Sequence, residues 1–166
     1  MSTRRGVAAE PGFAAKIATP ESLADRLPKL SRPRVFTNGV FDILHRGHVT
    51  YLDRARSLGG SLIVGVNTDA SVRRLGKDPD RPINSLDDRI AVLAALESVS
   101  LVIAFDADTP LALVLACHPD IIVKGGDYSA ETTVGAAEVI AWGGRFEAIP
   151  VLGGRSTSAL LARIRR

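Results

Sequence analysis

The sequence predicts an α/β domain built on a doubly wound, five-stranded parallel sheet. From Arg34 onward, short apolar runs alternate with longer stretches of helical spacing, the mark of repeated strand–helix–strand units. The apolar runs are nearly continuous in Val, Ile and Leu, as expected of strands covered on both faces. A length of 166 residues, 46% hydrophobic and 23% charged, suits a single ordinary globular domain.

The elements follow in order. Residues 1–18 are rich in Ala and Gly with scattered charge, and loose order is expected there. Thr19-Pro20-Glu21 reads as a helix start, with Thr as N-cap and Pro in the first turn. Leu23, Leu27 and Leu30 recur at helical spacing, and Pro28 and Pro33 close the segment. Residues 1–33 thus form an arm with a short helix, and residues 34–166 form the domain proper. Strands are expected at 35–37, 62–66, 101–105, 121–123 and 146–150. Helices are expected at 47–58, 86–97, 110–117, 132–142 and 157–165. In such sheets ligands bind beyond the carboxyl ends of the strands, so the loops that follow each strand are where chemistry is sought.

Composition removes several classes of function. No run approaches the ~20 apolar residues that cross a bilayer, so no membrane partner is expected. No apolar stretch follows Arg4 and Arg5, so no signal peptide is expected either. The single cysteine, Cys117, excludes an internal disulfide framework and suits a reducing, cytoplasmic compartment. The net charge is +3, but residues 1–34 hold seven Lys/Arg against three acids while the remainder is slightly acidic. Aromatics are 5% of the chain. A body without basic excess or interleaved aromatics does not favour nucleic acid.

The loop after the first strand carries the strongest chemistry: Thr37-Asn38-Gly39-Val40-Phe41-Asp42-Ile43-Leu44-His45-Arg46-Gly47-His48. Gly39 allows close approach of backbone to a ligand. His45 and His48 are three residues apart at the start of a helix pattern, which places both imidazoles on one face. The free N–H groups and dipole of that helix start favour an anion. Together these features make a phosphate cradle. A zinc site is the alternative for such a pair, but no Cys or carboxylate cluster with ligand spacing accompanies it. Two structural histidines are the other.

This loop resembles the signature of the cytidylyltransferase-like nucleotidyltransferases, a branch of the class that includes the HIGH-type tRNA synthetases. The resemblance continues through Val66-Asn67-Thr68-Asp69, Arg81-Pro82-Ile83, Asp88-Arg89, Val123-Lys124-Gly125-Gly126-Asp127-Tyr128 and Gly154-Arg155-Ser156-Thr157-Ser158. It spans residues 34–166 and is strongest with the adenylyltransferases that make ADP-heptose. It implies a Rossmann-like fold and transfer of AMP from ATP to a heptose 1-phosphate, in the route to lipopolysaccharide core sugars. The acceptor phosphate is itself the nucleophile, so catalysis is positioning and charge stabilisation, with no covalent intermediate. A cytidylyltransferase using CTP and glycerol 3-phosphate is the nearest alternative, and a nucleotide-binding regulator without catalysis is the second. A synthetase is excluded by length and by the lack of a KMSKS-like motif.

The resemblance also distributes roles. His45 and His48, with Lys77 and Arg89, would be catalytic. Thr37, Asn38, Gly39, Phe41, Asp42, Gly47, Lys124, Gly126, Asp127, Ser156, Thr157 and Ser158 would bind nucleotide. Asn67, Asp69 and Arg81 would face the second substrate. Several of these have bland alternatives. Asp42 could cap its turn, Lys124 could bridge to Asp127, Arg89 could be a plain surface arginine, and Arg73 and Arg74 read as a solvated face. Gly76-Lys77 reverses the order associated with close relatives, and Val151 and Leu152 stand where some members carry an arginine. Magnesium is implied through the ATP phosphates, with no dedicated protein metal site. Homo-oligomerisation is the expectation the family carries.

Overall fold

The computed structural model describes residues 9–76, 80–150 and 157–164, except the side chains of Ser158 and Ala159. Lys77, Arg155 and Ser156 therefore lie outside the described residues. Six parallel strands form one sheet: β1 (Ile17–Ala18), β2 (Arg34–Gly39), β3 (Ser61–Asn67), β4 (Leu101–Phe105), β5 (Ile121–Gly125) and β6 (Arg145–Ile149), in the order β1-β4-β3-β2-β5-β6. The described helices are α1 (Pro20–Arg26), α2 (Arg46–Ser57), α3 (Asp69–Arg74), α4 (Leu86–Ala95), α5 (Leu111–Cys117), α6 (Ala136–Ala141) and α7 (Thr157–Ile164).

Five of these strands match the expected runs to within two residues at either end. The sixth, β1, corrects the expectation of five strands. Residues 17–18 were placed in a loosely ordered arm, yet Ile17 and Ala18 pair in parallel with Val102 and Ile103. A 3-10 turn at Gly12–Lys16 precedes them, and Lys16 Nζ donates to the Leu96 carbonyl at 2.9 Å. Two residues are too few to show a strand periodicity, so this pairing left no trace in the sequence. The arm helix is as expected: Thr19 accepts from the Ser22 amide in a reciprocal capping box, with Pro20 at the first helical position. α3 was not foreseen, because its six residues sit in a stretch dominated by charge.

Strand alternation divides the core between the two faces of the sheet. Val35, Leu62, Val64, Val66, Val102, Ile121 and Val123 point toward α2 and α4, meeting Leu52, Ala55, Ile90 and Leu93. Phe36, Ile63, Leu101, Ile103 and Ile122 point the other way, onto Leu23 of α1, Leu113 and Val114 of α5 and Val139 of α6. Every residue of β3 is buried, which explains its unbroken apolar run. Cys117 is wholly buried at the end of α5, and burial pushes its thiol up to about 12, so it is an inert core residue.

The chain runs from β2 outward to β3 and β4, then crosses back to β5 on the other side of β2. The switch point therefore lies between β2 and β5. Parallel register between these two strands stops at Phe36↔Ile122, whereas β2 stays in register with β3 up to Gly39↔Val66. Their carboxyl ends part, and a crevice opens where ligands enter folds of this kind.

Candidate active site

The loop from the carboxyl end of β2 leads into the start of α2. His45 is the N-cap of that helix, with extended backbone at φ −140°, and its Nδ1 accepts from the Gly47 amide at 3.1 Å. That bond assigns Nδ1 as an acceptor. The His48 ring stacks on the His45 ring, with centroids 4.0 Å apart and planes 27° from parallel. Phe41 closes the other side, edge-on to His48 at 5.6 Å. Burial lowers the His48 pKa to about 4, helped by the cost of charging it beside a second imidazole, His45, and by the positive charge of Arg81, with the Ile43 backbone acting in the opposite sense. His48 is thus neutral at pH 7. Its Nδ1 is buried without a hydrogen-bond partner among the described residues.

Two backbone features shape the loop leading to this pair. Phe41 has φ +50°, an uncommon conformation for a side-chain-bearing residue. It brings the Phe41 ring under Gly39, where an added Cβ would lie 3.1 Å from the ring. A side chain at 39 would therefore crowd the Phe41 ring.

Asp42 is buried, and all its carboxylate bonds go to one segment. Oδ1 accepts from the Ile83 and Asn84 amides at 2.8 and 3.0 Å, and Oδ2 accepts from Arg81 Nε at 3.0 Å. Asn84 Nδ2 returns a bond to the Asp42 carbonyl. Burial alone would push the Asp42 carboxyl up; the two amides and Arg81 overcome it and hold it below the ordinary carboxylate range. Asp42 thus ties the 81–84 segment to the phosphate loop. Through it Arg81, whose side chain is mostly buried, is held close enough to act electrostatically on His48.

Arg89 is no surface arginine. Its side chain is fully buried, donating to the carbonyls of Val40, Asn67 and Asn84 and to Asp69 Oδ1 at 2.8 Å. It joins the ends of β2 and β3 to the start of α4. Asn67 is buried, with its amide on the Ser71 hydroxyl. These residues come together as a scaffold beneath the crevice. Arg74, by contrast, pairs with exposed Asp106 and Asp108 on the surface, as a solvated face would.

On the β5 side, Lys124 Nζ reaches the Asn38 carbonyl at 3.1 Å and Asn38 Oδ1 at 2.5 Å. Gly126 has φ +99°, which only glycine adopts freely, and Asp127 beyond it is exposed. Thr37 differs from its expected place. Its hydroxyl is fully buried and bonded to the Tyr51 hydroxyl at 2.7 Å instead of facing a ligand. Thr157 is buried at the start of α7. Two residues of the site had not been singled out, Tyr51 and Asn84. Tyr51 lies three residues beyond His48 on the same helix face, a spacing that could have revealed it.

A parallel sheet with its crevice at the switch point, and a helix start bearing two stacked imidazoles, define a nucleotide-binding α/β domain. The chain belongs to the cytidylyltransferase-like family, whose model matches residues 36–145. Among its relatives, it is 60% identical over 143 residues to the D-beta-D-heptose 1-phosphate adenylyltransferase of Bordetella bronchiseptica, covering 86% of each chain. It is also 51% identical over 156 residues to the bifunctional protein HldE of Syntrophotalea carbinolica, matching 92% of this chain but only 31% of that protein. Among solved structures, a lipopolysaccharide core biosynthesis protein from Thermoplasma volcanium superposes with a TM-score of 0.59 at 32% identity. It covers 72% of this chain and 95% of that one. Pantothenate synthetase from Thermus thermophilus shares the fold at 18% identity, with a TM-score of 0.58 over 82% of this chain and 62% of that one.

Proposed function

We propose that this chain transfers AMP from ATP to D-glycero-β-D-manno-heptose 1-phosphate, giving ADP-heptose and pyrophosphate for lipopolysaccharide core synthesis. The observation that carries the reading is the stacked His45–His48 pair at the start of α2, facing the switch-point crevice. The similarity to a heptose 1-phosphate adenylyltransferase over 86% of both chains supports the choice of substrates.

An acceptor phosphate oxygen attacks the α-phosphorus of ATP in line. The bond from that phosphorus to the bridging oxygen breaks, and pyrophosphate leaves with the electron pair. No general base is needed, because the attacking oxygen is already anionic. Charge that gathers on the α-phosphate and the leaving group meets the helix start and the two imidazoles. Neutral His48 donates through one ring nitrogen, and an arriving phosphate raises its affinity for a second proton. Arg81 adds fixed positive charge beside it. Lys77 and Ser156, outside the described residues, are further donors in this reading, together with Ser158.

Magnesium arrives as the ATP complex and is part of the substrate. Among the described residues no group of three His, Cys, Asp or Glu side chains is placed to hold a metal ion, and in this reading phosphate oxygens and water coordinate the magnesium. No helix among them is long and apolar enough to cross a membrane. A cytoplasmic location, supported by the free buried Cys117, and a homo-oligomeric state complete the reading.

The test is pyrophosphate release by the purified protein with magnesium, pairing ATP or CTP with a panel of sugar and polyol phosphates. Release only with ATP and heptose 1-phosphate is expected. Release with CTP and glycerol 3-phosphate would overturn the substrates but keep the reaction class. Nucleotide binding without any release would point to a regulator.

A further inference from the structure

Tyr51 lies on α2 one turn beyond His48, with its side chain running down into the core between β2 and β5. It is 8% exposed, and its hydroxyl makes two contacts that belong to different strands. It donates to the Val123 carbonyl of β5 at 3.2 Å and lies 2.7 Å from the Thr37 hydroxyl of β2. With its one proton on Val123, Tyr51 receives the proton of Thr37. Both partners stand one residue beyond Phe36↔Ile122, the last registered pair of the two strands. The phenol therefore occupies the point at which β2 and β5 separate.

One residue further along each strand, Lys124 spans the same gap to Asn38. The contacts close a ring: Tyr51, Val123, Lys124, Asn38, Thr37 and back to Tyr51. One side of this ring carries the helix that presents His45 and His48, and the other carries the Lys124-Gly125-Gly126 turn. We infer that Tyr51 is a positioning residue, a spacer whose hydroxyl fixes how far β2 and β5 part and so sets the width of the crevice between the histidine pair and the Lys124 turn.

Chemistry explains why a tyrosine serves here. A phenol is rigid beyond two torsions, so its oxygen marks a fixed depth below the helix. An apolar side chain of the same length would leave the Val123 carbonyl and the Thr37 hydroxyl buried without partners. Burial pushes the Tyr51 hydroxyl up to about 12, so it remains a proton donor at any working pH. Tyr51 touches no reacting atom in this arrangement and acts through the strands it separates.

The catalytic part of this inference rests on the proposed nucleotidyl transfer; the crevice part does not. The test compares wild type with Tyr51→Phe, which keeps the ring, and with Thr37→Val, which removes the second hydroxyl. Amide hydrogen exchange should quicken by about tenfold at Asn38, Gly39, Lys124 and Gly125, with little change in the β3–β4 core. In pyrophosphate release, kcat should fall about tenfold while the KM for ATP stays within about twofold, as expected when reacting groups are misplaced but still bind. The double variant should lose no more than the worse single one. Unchanged exchange at those four amides, or kcat equal to wild type in a folded Tyr51→Phe, would overturn the inference. A wild type that releases no pyrophosphate would instead overturn the function, leaving the spacer to be judged on the amides alone.

Discussion

His48 shows what a single side chain contributes when burial is only partial. Its folded pKa of about 4 lies below the ordinary 6.5, chiefly through desolvation. The unfolded chain therefore binds a proton more readily than the folded one between those values, and the unfolded state gains as pH falls. The stability tied to neutral His48 is fully present above about pH 6.5 and drains away as the pH falls toward about 4. Urea melts at several pH values should show a shallower loss in His48→Ala than in wild type across that window. The same variant should lose at least about a hundredfold in turnover at neutral pH while remaining folded, the scale for removing one preorganised donor. Near-full turnover would remove His48 from the phosphate cradle. Arg89 teaches a different lesson. The family resemblance implies a phosphate-facing arginine here, and in the structure three carbonyls and Asp69 surround its buried head. Burial of a cation depends on which acceptors the fold delivers, and here Val40 after β2, Asn67 of β3 and Asp69 of α3 lie 20 to 49 residues from Arg89 in the chain.

At the scale of elements, the connection between α3 and α4 is held by its far end. Asp42 captures the Ile83 and Asn84 amides and Arg81, so the loop before α4 is docked on the phosphate loop. Asp42→Ala removes the buried acceptor of two part-buried amides and a guanidinium. A loss of about 3 kcal/mol in unfolding free energy is expected, measured by urea titration. Faster exchange at the Ile83 and Asn84 amides should accompany it, and unchanged protection there would show that the docking has another cause. The helices themselves were legible because they carry their own signals. Thr19, Ser85 and Thr68 each cap a helix through a bond made within three residues. α3 escaped notice despite its Thr68 cap, since six residues with two arginines show no apolar stripe long enough to read.

At the scale of the whole molecule, the arm belongs to the sheet. Ile17 and Ala18 extend it beyond β4, and Phe13 packs on the core face shared with α4. Removing residues 1–18 should expose the β4 edge and lower the melting temperature by several degrees, since each kcal/mol lost shifts the midpoint of a domain this size by roughly 2–4 °C. Light scattering should report self-association through the bared edge. A truncated chain as stable and monodisperse as the intact one would make β1 an ornament of the fold. The arm holds the basic excess, and within the chain Lys16 and Arg26 donate to the backbone carbonyls of Leu96, Ala15 and Ile17.

The sequence by itself determined the strand–helix alternation, the Thr19 cap and the His45–His48 spacing. All of these are local, set by periodicity, φ preference or bonds within a few residues, and local physics is written along the chain. Tertiary structure alone decided that Asp42 anchors a loop forty residues away, that Arg89 is buried, that Thr37 faces Tyr51, and that a two-residue strand completes the sheet. Each of these depends on which strands lie side by side. The order β1-β4-β3-β2-β5-β6 brings together groups that no spacing relates, because a hydrogen bond is satisfied by proximity in space and carries no memory of separation in sequence.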